Sequence, residues 1–267
     1  MKQISILGCG WLGLPLAQQL ILNSYPIHGA TTSENKLSVL TAAGIKPFLI
    51  TVSEAQISGN MSSFLQNSEV LILNIPPQLK GMGKESFTAK IRHIIDVVET
   101  SNITAVLFVS STSVYADHNE IITEASIPQP DSESGRQLLE AEQLLRNNTN
   151  FQTTIIRFGG LIGNGRHPIQ FLAGRKNIEN PDAPINLIDI QDCIGIIKKI
   201  IINNIWNETF DAVAPFHPTR KNYYTQKAAD LQLSPPIFTY ENPSKGKTIL
   251  SDKVIALLDY TFTHPNL

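Results

Sequence analysis

The stretch Ile4-Ser5-Ile6-Leu7-Gly8-Cys9-Gly10-Trp11-Leu12-Gly13 constrains this chain more than any other. An apolar run ends in Gly8, and Gly10 and Gly13 complete a GxGxxG spacing. Leu12, Leu16, Ala17 and Leu20 then recur at helical intervals. The pattern is strand, tight turn, helix. Each glycine answers a separate need: the first permits the turn, the second lets a pyrophosphate approach the backbone, and the third lets helix and strand pack closely. The free N–H groups around Trp11 and Leu12, at the positive end of the helix dipole, then suit phosphate. Nucleotide binding is the expectation, against the plainer alternative of a glycine-rich turn.

Alternation of strands and helices through the first 160 residues predicts an α/β fold, a Rossmann-type doubly wound parallel sheet. Strands are expected near residues 3–7, 26–31, 48–52, 69–75, 105–110, 153–157 and 186–190. Helices are expected near residues 11–22, 34–43, 87–100, 134–146, 192–202 and 252–258. The uninterrupted apolar run Val70-Leu71-Ile72-Leu73 fits a central strand buried on both faces. Glycine density rises after Arg157 and the alternation lapses. Residues 1–160 are therefore assigned to the nucleotide-binding domain and 161–267 to a smaller C-terminal substrate lobe, with 186–203 packing back onto the first domain.

Composition narrows the partners. With 21 basic and 23 acidic residues the net charge is −2, which gives no basic surface for nucleic acid. The only cysteines, Cys9 and Cys193, suggest neither a disulfide framework nor a metal site. No apolar run is long enough to span a membrane and no signal peptide is evident, so a cytoplasmic setting is expected.

Several segments in order resemble the extended short-chain dehydrogenases, the superfamily of NAD-dependent nucleotide-sugar epimerases and dehydratases. They are the GxGxxG start, Phe108-Val109-Ser110-Ser111-Thr112-Ser113-Val114-Tyr115, the helix from Ser134-Gly135-Arg136 to Glu142, Arg157-Phe158-Gly159-Gly160-Leu161-Ile162-Gly163, and Asn186-Leu187-Ile188-Asp189-Ile190-Gln191-Asp192. The phrases Gly8 to Pro15 and Gly165-Arg166-His167-Pro168 look like an atypical branch of that superfamily. The resemblance implies a nicotinamide cofactor, a small anionic or nucleotide-sugar substrate, and epimerase or reductase chemistry. It also implies a homodimer built on the helices near 87–100 and 134–146.

One departure bears on chemistry. The family uses a Ser/Thr, then a Tyr, with a Lys four residues after the Tyr. Ser111 falls on the Ser/Thr position, Ser134 replaces the Tyr and Leu138 replaces the Lys. A serine hydroxyl is a far weaker acid than a phenol, and leucine cannot help it. Ser111, Tyr115 and Ser134 are the catalytic candidates; Tyr115 is either a substitute acid facing the cleft or, as the same residue type does in relatives, a side chain packed under the loop. The alternative is a dinucleotide-binding sensor or scaffold without chemistry.

The remaining candidates follow the expected sheet. The second strand ends in His28-Gly29-Ala30-Thr31-Thr32-Ser33-Glu34-Asn35-Lys36, with no acid where an NAD-preferring protein bonds the ribose 2′-hydroxyl. Thr32, Ser33 and Lys36 suit a 2′-phosphate, which favours NADP over NAD; they equally suit a helix cap. Asn74, Ile75 and Pro76 should border the nicotinamide half. Thr112, Gly163, Arg166 and His167 are assigned to substrate: Arg166 suits phosphate, and His167 either moves protons or, as a lone histidine before Pro168, is structural. Lys80 and Lys84 are further candidates for an anion, and Asp192 is expected to cap the helix it opens.

Overall fold

The computed structural model describes residues 2–77 and 85–267; Lys80 and Lys84 lie outside the described residues. Strand β1 (Gln3–Leu7) feeds helix α1 (Gly13–Leu22), then β2 (Ile27–Thr31), α2 (Leu37–Ala42) and β3 (Lys46–Leu49). A small excursion follows: β4 (Thr51–Val52) pairs antiparallel with β5 (Ile57–Ser58), and α3 (Met61–Leu65) leads back into β6 (Ser68–Leu73). The second half runs through α4 (Phe87–Val98), β7 (Ala105–Ser111), β8 (Glu120–Ile122), α5 (Glu133–Arg146) and β9 (Gln152–Phe158). The remainder comprises β10 (Gly160–Ile162), α6 (Ile169–Leu172), β11 (Leu187–Asp189), α7 (Ile190–Ile202), β12 (Thr209–Ala212), α8 (Arg220–Asp230), β13 (Lys247–Ile249) and α9 (Asp252–Leu258).

The main sheet has seven strands in the order β12-β9-β7-β6-β1-β2-β3, and every pairing within it is parallel. Strand alternation divides the core into two layers. Ile4, Ile6, Val70, Ile72, Ala105, Leu107 and Ile156 face α1, α7 and α9. Leu7, Leu71, Leu73, Val106, Phe108 and Ile155 face α3, α4 and α5. Both faces are therefore covered, as continuous apolar strands require. The expected Rossmann-type doubly wound sheet is present.

Strand order reverses between β1 and β6, which opens a crevice at their carboxyl ends. Parallel strands with crossover helices also bring the first turns of α1, α4 and α5 to that same edge. The site described below is built there.

The structure departs from the expected elements in several places. The chain leaves the sheet after Leu49, so the expected strand 48–52 is split and Thr51–Val52 pairs elsewhere. The boundary at residue 160 cuts across the packing: β12 is the sheet's edge strand, and Val254, Leu258, Tyr260 and Phe262 share the core layer of α1. Isoleucines 194, 196, 197, 200 and 201 of α7 join that layer too. The smaller lobe is a separate apolar cluster of Ile162, Ile169, Ile185, Leu187, Tyr223, Tyr224 and Ala228. Helix α8 lay hidden in the sequence because most of its residues are polar; Thr219 caps it, accepting from the Asn222 N–H at 3.3 Å.

Asp192 does not cap α7. Asp189 does, accepting from the Gln191 N–H at 2.8 Å. Asp192 is buried and ties down the C-terminal segment, accepting from Tyr260 Oη at 2.9 Å, Thr263 N at 2.6 Å and His264 N at 3.0 Å.

Candidate functional site

The three glycines of the first turn have different surroundings. Gly8 lies at φ +109°, and a Cβ there would overlap the Asn74 carbonyl oxygen. A Cβ on Gly13 would overlap the Gly8 carbonyl oxygen. A Cβ on Gly10 would meet nothing within 4 Å, because it would project into the crevice. Asn74 braces the turn, its Nδ2 donating to the Gly8 carbonyl at 2.8 Å. Helix α1 begins at Gly13, later than the pattern suggested, so Trp11 and Leu12 stay in the turn. Among the described residues, no acceptor takes the backbone N–H groups of Gly10, Trp11, Leu12 or Gly13. The indole Nε1 of Trp11 is also buried without a partner. Several donors thus converge where α1 presents its positive end.

The crevice has a volume of about 480 Å³, within the roughly 300–1,000 Å³ range of small-molecule sites. Thr32, Ser33 and Lys36 line one end, after β2. Ser33 makes no side-chain cap bond, and its N–H is accepted by Thr31 Oγ1 at 3.2 Å, so Thr31 rather than Ser33 closes this turn. Gly8, Gly10, Trp11 and Leu12 line the middle, and Asn74, Ile75 and Pro76 continue past β6. Ser110, Ser111, Leu138 and Lys90 line the far end. Among the described residues, three cations and no carboxylate line the crevice: Lys36, Lys90 and Arg166. Cys9 also lines it, but burial pushes its thiol up to about 12, so it stays protonated and acts as a small filler.

Arg166 reaches the crevice from the C-terminal side. Gly163 and Arg166 exchange backbone hydrogen bonds of 3.0 Å across a tight turn. Its central residues, Asn164 and Gly165, have φ values of +47° and +76°, as in the two-residue hairpin turns that favour Asn-Gly. Gln170 Nε2 braces the turn by donating to the Gly165 carbonyl at 2.6 Å. The Arg166 guanidinium then lies 5.1 Å from the centre of the Trp11 ring, over the glycine turn.

His167 and Gly163 are not among the crevice residues. The Ile169 N–H donates to His167 Nδ1 at 3.1 Å, so the neutral ring carries its proton on Nε2, 2.9 Å from Tyr223 Oη. Burial, helped by Lys227, lowers the imidazole to about 4. A ring that is neutral and engaged in this way anchors α8; it is not a proton carrier near pH 7. Gly163 is structural, at φ +104° with Asp189 and Ile190 packed against it.

Of the catalytic candidates, the structure brings only Ser111 to the crevice. Its Oγ also accepts from the Ser113 N–H at 3.2 Å. Ser134 and Thr112 do not line the crevice, and Thr112 is buried. Tyr115 is 3% exposed, and its hydroxyl donates to Asp211 Oδ2 at 2.8 Å while accepting from Arg157 Nη1 at 2.5 Å. Burial, then Asp211, pushes that phenol well above its ordinary value. Tyr115 is therefore a core group and not an acid facing the ligand.

The network behind Ser111 explains why. Ser110 Oγ donates to Glu142 Oε1 at 2.6 Å, and Arg157 Nε bonds both oxygens of the same carboxylate at 3.0 and 3.1 Å. Arg157 spends its charge on Glu142 and lies 4.0 Å from Asp211 Oδ1, which has no hydrogen-bond partner. Burial with so little compensation raises the Asp211 carboxyl to about 7, against the pull of Arg157. A carboxyl raised in the folded state binds a proton that the unfolded chain has already lost. Stability is full below the unfolded value of about 3.9 and falls as pH rises towards about 7. Asp211→Asn keeps an acceptor for Tyr115 without the charge. The variant should gain melting temperature relative to the parent progressively from pH 4 to pH 7; a difference independent of pH would overturn the assignment.

Lys90 was not singled out in the sequence. A signal existed: it sits among Phe87, Ile91, Ile94 and Val98, on the buried stripe of α4, where a lysine is out of place.

Comparisons with known proteins bear on the family and the fold. The family model described as NAD(P)H-binding matches residues 8–194. Protein YeeZ of Escherichia coli strain K12 is 31% identical over 268 residues, covering 100% of this chain and 97% of that protein. A functionally unknown conserved protein from Silicibacter pomeroyi superposes with a TM-score of 0.80 at 19% identity, covering 100% of this chain and 95% of its own. UDP-glucuronic acid 4-epimerase from Bacillus cereus, in complex with NAD, superposes with a TM-score of 0.79 at 18% identity, covering 98% and 94%.

Proposed function

This chain belongs to the NAD(P)H-binding family, and on that premise we propose that its crevice binds NADP(H) in preference to NAD(H) and acts on a small anionic substrate by hydride chemistry. The observation that carries the proposal is the lining: unpaired N–H groups at the glycine turn, three cations, and no carboxylate among the described residues. In this fold the pyrophosphate lies at the turn and the two nucleoside halves lie to either side of the strand-order reversal. Arg166, held over Trp11, supports a second charge beside the pyrophosphate. Thr32, Ser33 and Lys36, at the end of the crevice after β2, support a 2′-phosphate there, and among the described residues no carboxylate lines that end.

The nicotinamide, when bound, supplies or accepts the hydride. Ser111, at the carboxyl end of β7, holds the substrate oxygen near it. A nucleotide sugar is one substrate of the required charge; the solved UDP-glucuronic acid 4-epimerase handles such a molecule on the same fold. A second reading is a dinucleotide-responsive sensor. It is favoured by one observation: neither a phenol nor an imidazole lines the crevice among the described residues.

Thermal-shift titration with NADPH, NADH, NADP and NAD tests the proposal. Stabilisation follows RT ln(1 + [L]/Kd), so the NADP pair should raise the melting point at lower concentration. Lys36→Ala should reduce the preference for NADPH over NADH roughly tenfold, the scale of one charge-assisted contact. Equal shifts from all four ligands would remove the NADP assignment, and no shift from any would remove dinucleotide binding.

A further inference from the structure

Among the described residues, Lys90 is a cation lining the crevice that belongs neither to the glycine turn nor to the 2′-phosphate end. It lies on the first turn of α4, and its side chain is only 9% exposed. Its partner Glu85, 2.5 Å away, is far more open to solvent, at 39%. A lysine that served only a surface ion pair would keep its ammonium in water, where such pairs contribute little. This one lines the crevice instead, as do Pro76, Ser111 and Leu138.

The helix starts fix that juxtaposition. The Phe87 N–H donates to Gln137 Oε1 at 2.7 Å, and Thr88 Oγ1 donates to Glu140 Oε2 at 2.9 Å. The first turns of α4 and α5 are thus fastened together, with Lys90 and Leu138 both facing the crevice. The first βαβ half of the sheet, β1 to β3, serves one nucleoside; the second, from β6 onward, serves the other. Helix α4 follows β6, so Lys90 stands in the second half.

We propose that Lys90 binds the ribose hydroxyls of the nicotinamide half of the dinucleotide, its ammonium entering from α4 at the level where α5 presents only Leu138. The inference rests on the dinucleotide reading above and deepens it. The ammonium donates to the hydroxyl oxygens, and the ion pair with Glu85 tethers it.

Calorimetric titration of the full chain with three ligands tests it. NADPH carries both nucleoside halves, 2′-phospho-ADP-ribose lacks only the nicotinamide, and adenosine 2′,5′-bisphosphate lacks the second half entirely. Lys90→Met should weaken the first two by about tenfold or more, as loss of a charged hydrogen bond does, and leave the third within about twofold. Lys90→Arg should recover most of the loss. Glu85→Gln, which removes the ion pair alone, should cost less than Lys90→Met, and it remains informative should the methionine variant fold poorly. Unchanged affinity of Lys90→Met for all three ligands, with the parent binding them, overturns the role of Lys90 alone. Equal loss for all three overturns its assignment to the second half. A parent chain that binds none of them overturns the dinucleotide reading and this inference with it.

Discussion

Gly10→Leu should abolish dinucleotide binding while leaving the melting temperature of the ligand-free protein nearly unchanged. The two effects separate because of where the missing Cβ would point. At Gly8 and Gly13 it would strike backbone carbonyls, so substitution there distorts the turn itself. At Gly10 the space is empty on the protein side, and only the crevice lies ahead. A leucine side chain would fill the place where a pyrophosphate meets the free N–H groups. The expected loss is at least about a hundredfold in affinity, since several charge-assisted hydrogen bonds fail together. Thermal shift with and without NADPH reads both quantities at once. Retained affinity in a folded Gly10→Leu protein would mean that phosphate does not bind at this turn.

Arg157→Met should be the most damaging single change to stability. The guanidinium is 3% exposed and holds Glu142, which is 0% exposed, with Nη2 2.5 Å from Oε2. It also supports the Tyr115 hydroxyl and lies near Asp211. Removing it leaves a buried carboxylate without a counter-charge, a change that typically costs about 3–5 kcal/mol. For a chain of this size that corresponds to a fall in melting temperature of roughly 10 °C. Adding Glu142→Leu should restore much of the loss, because removing both members of a buried pair is often close to neutral. Ser110, which lines the crevice, would then lose its acceptor, so the double variant should bind ligand less well than it folds. A single variant as stable as the parent would show that the network is dispensable.

These two expectations concern opposite sides of one strand edge. The glycine turn faces the crevice and is conformationally demanding, whereas the Glu142–Arg157–Tyr115–Asp211 chain is buried and fixes the end of β7. Through Ser110 the buried chain sets the backbone that presents Ser111 to the crevice. The phenol is thereby drawn inward, and serine hydroxyls and cations, not the phenol, line the crevice.

The sequence by itself determined the doubly wound sheet, the glycine turn, and the edge of the sheet at which the crevice opens. Those features are local: apolar runs of strand length, helical spacing and glycine placement all act within one βα unit. That Thr32, Ser33, Lys36, Asn74, Ile75, Pro76 and Ser111 line the crevice was likewise legible, because they follow the ends of β2 and β6 or, for Ser111, end β7, and the fold rule opens a crevice there. Tertiary structure decided the rest. It turned Tyr115 and Asp192 inward, since whether a polar side chain meets ligand or core depends on partners 96 and 68 residues away, Asp211 and Tyr260. It raised Arg166 over Trp11 by a turn that no pattern in the first domain announces. It added β12 to the sheet from the far end of the chain, where only a neighbouring strand makes four residues into an edge. And it brought Lys90 and Leu138 to one crevice through the packing of two helices whose hydrogen-bonded residues lie 50 and 52 positions apart, beyond the reach of any local spacing.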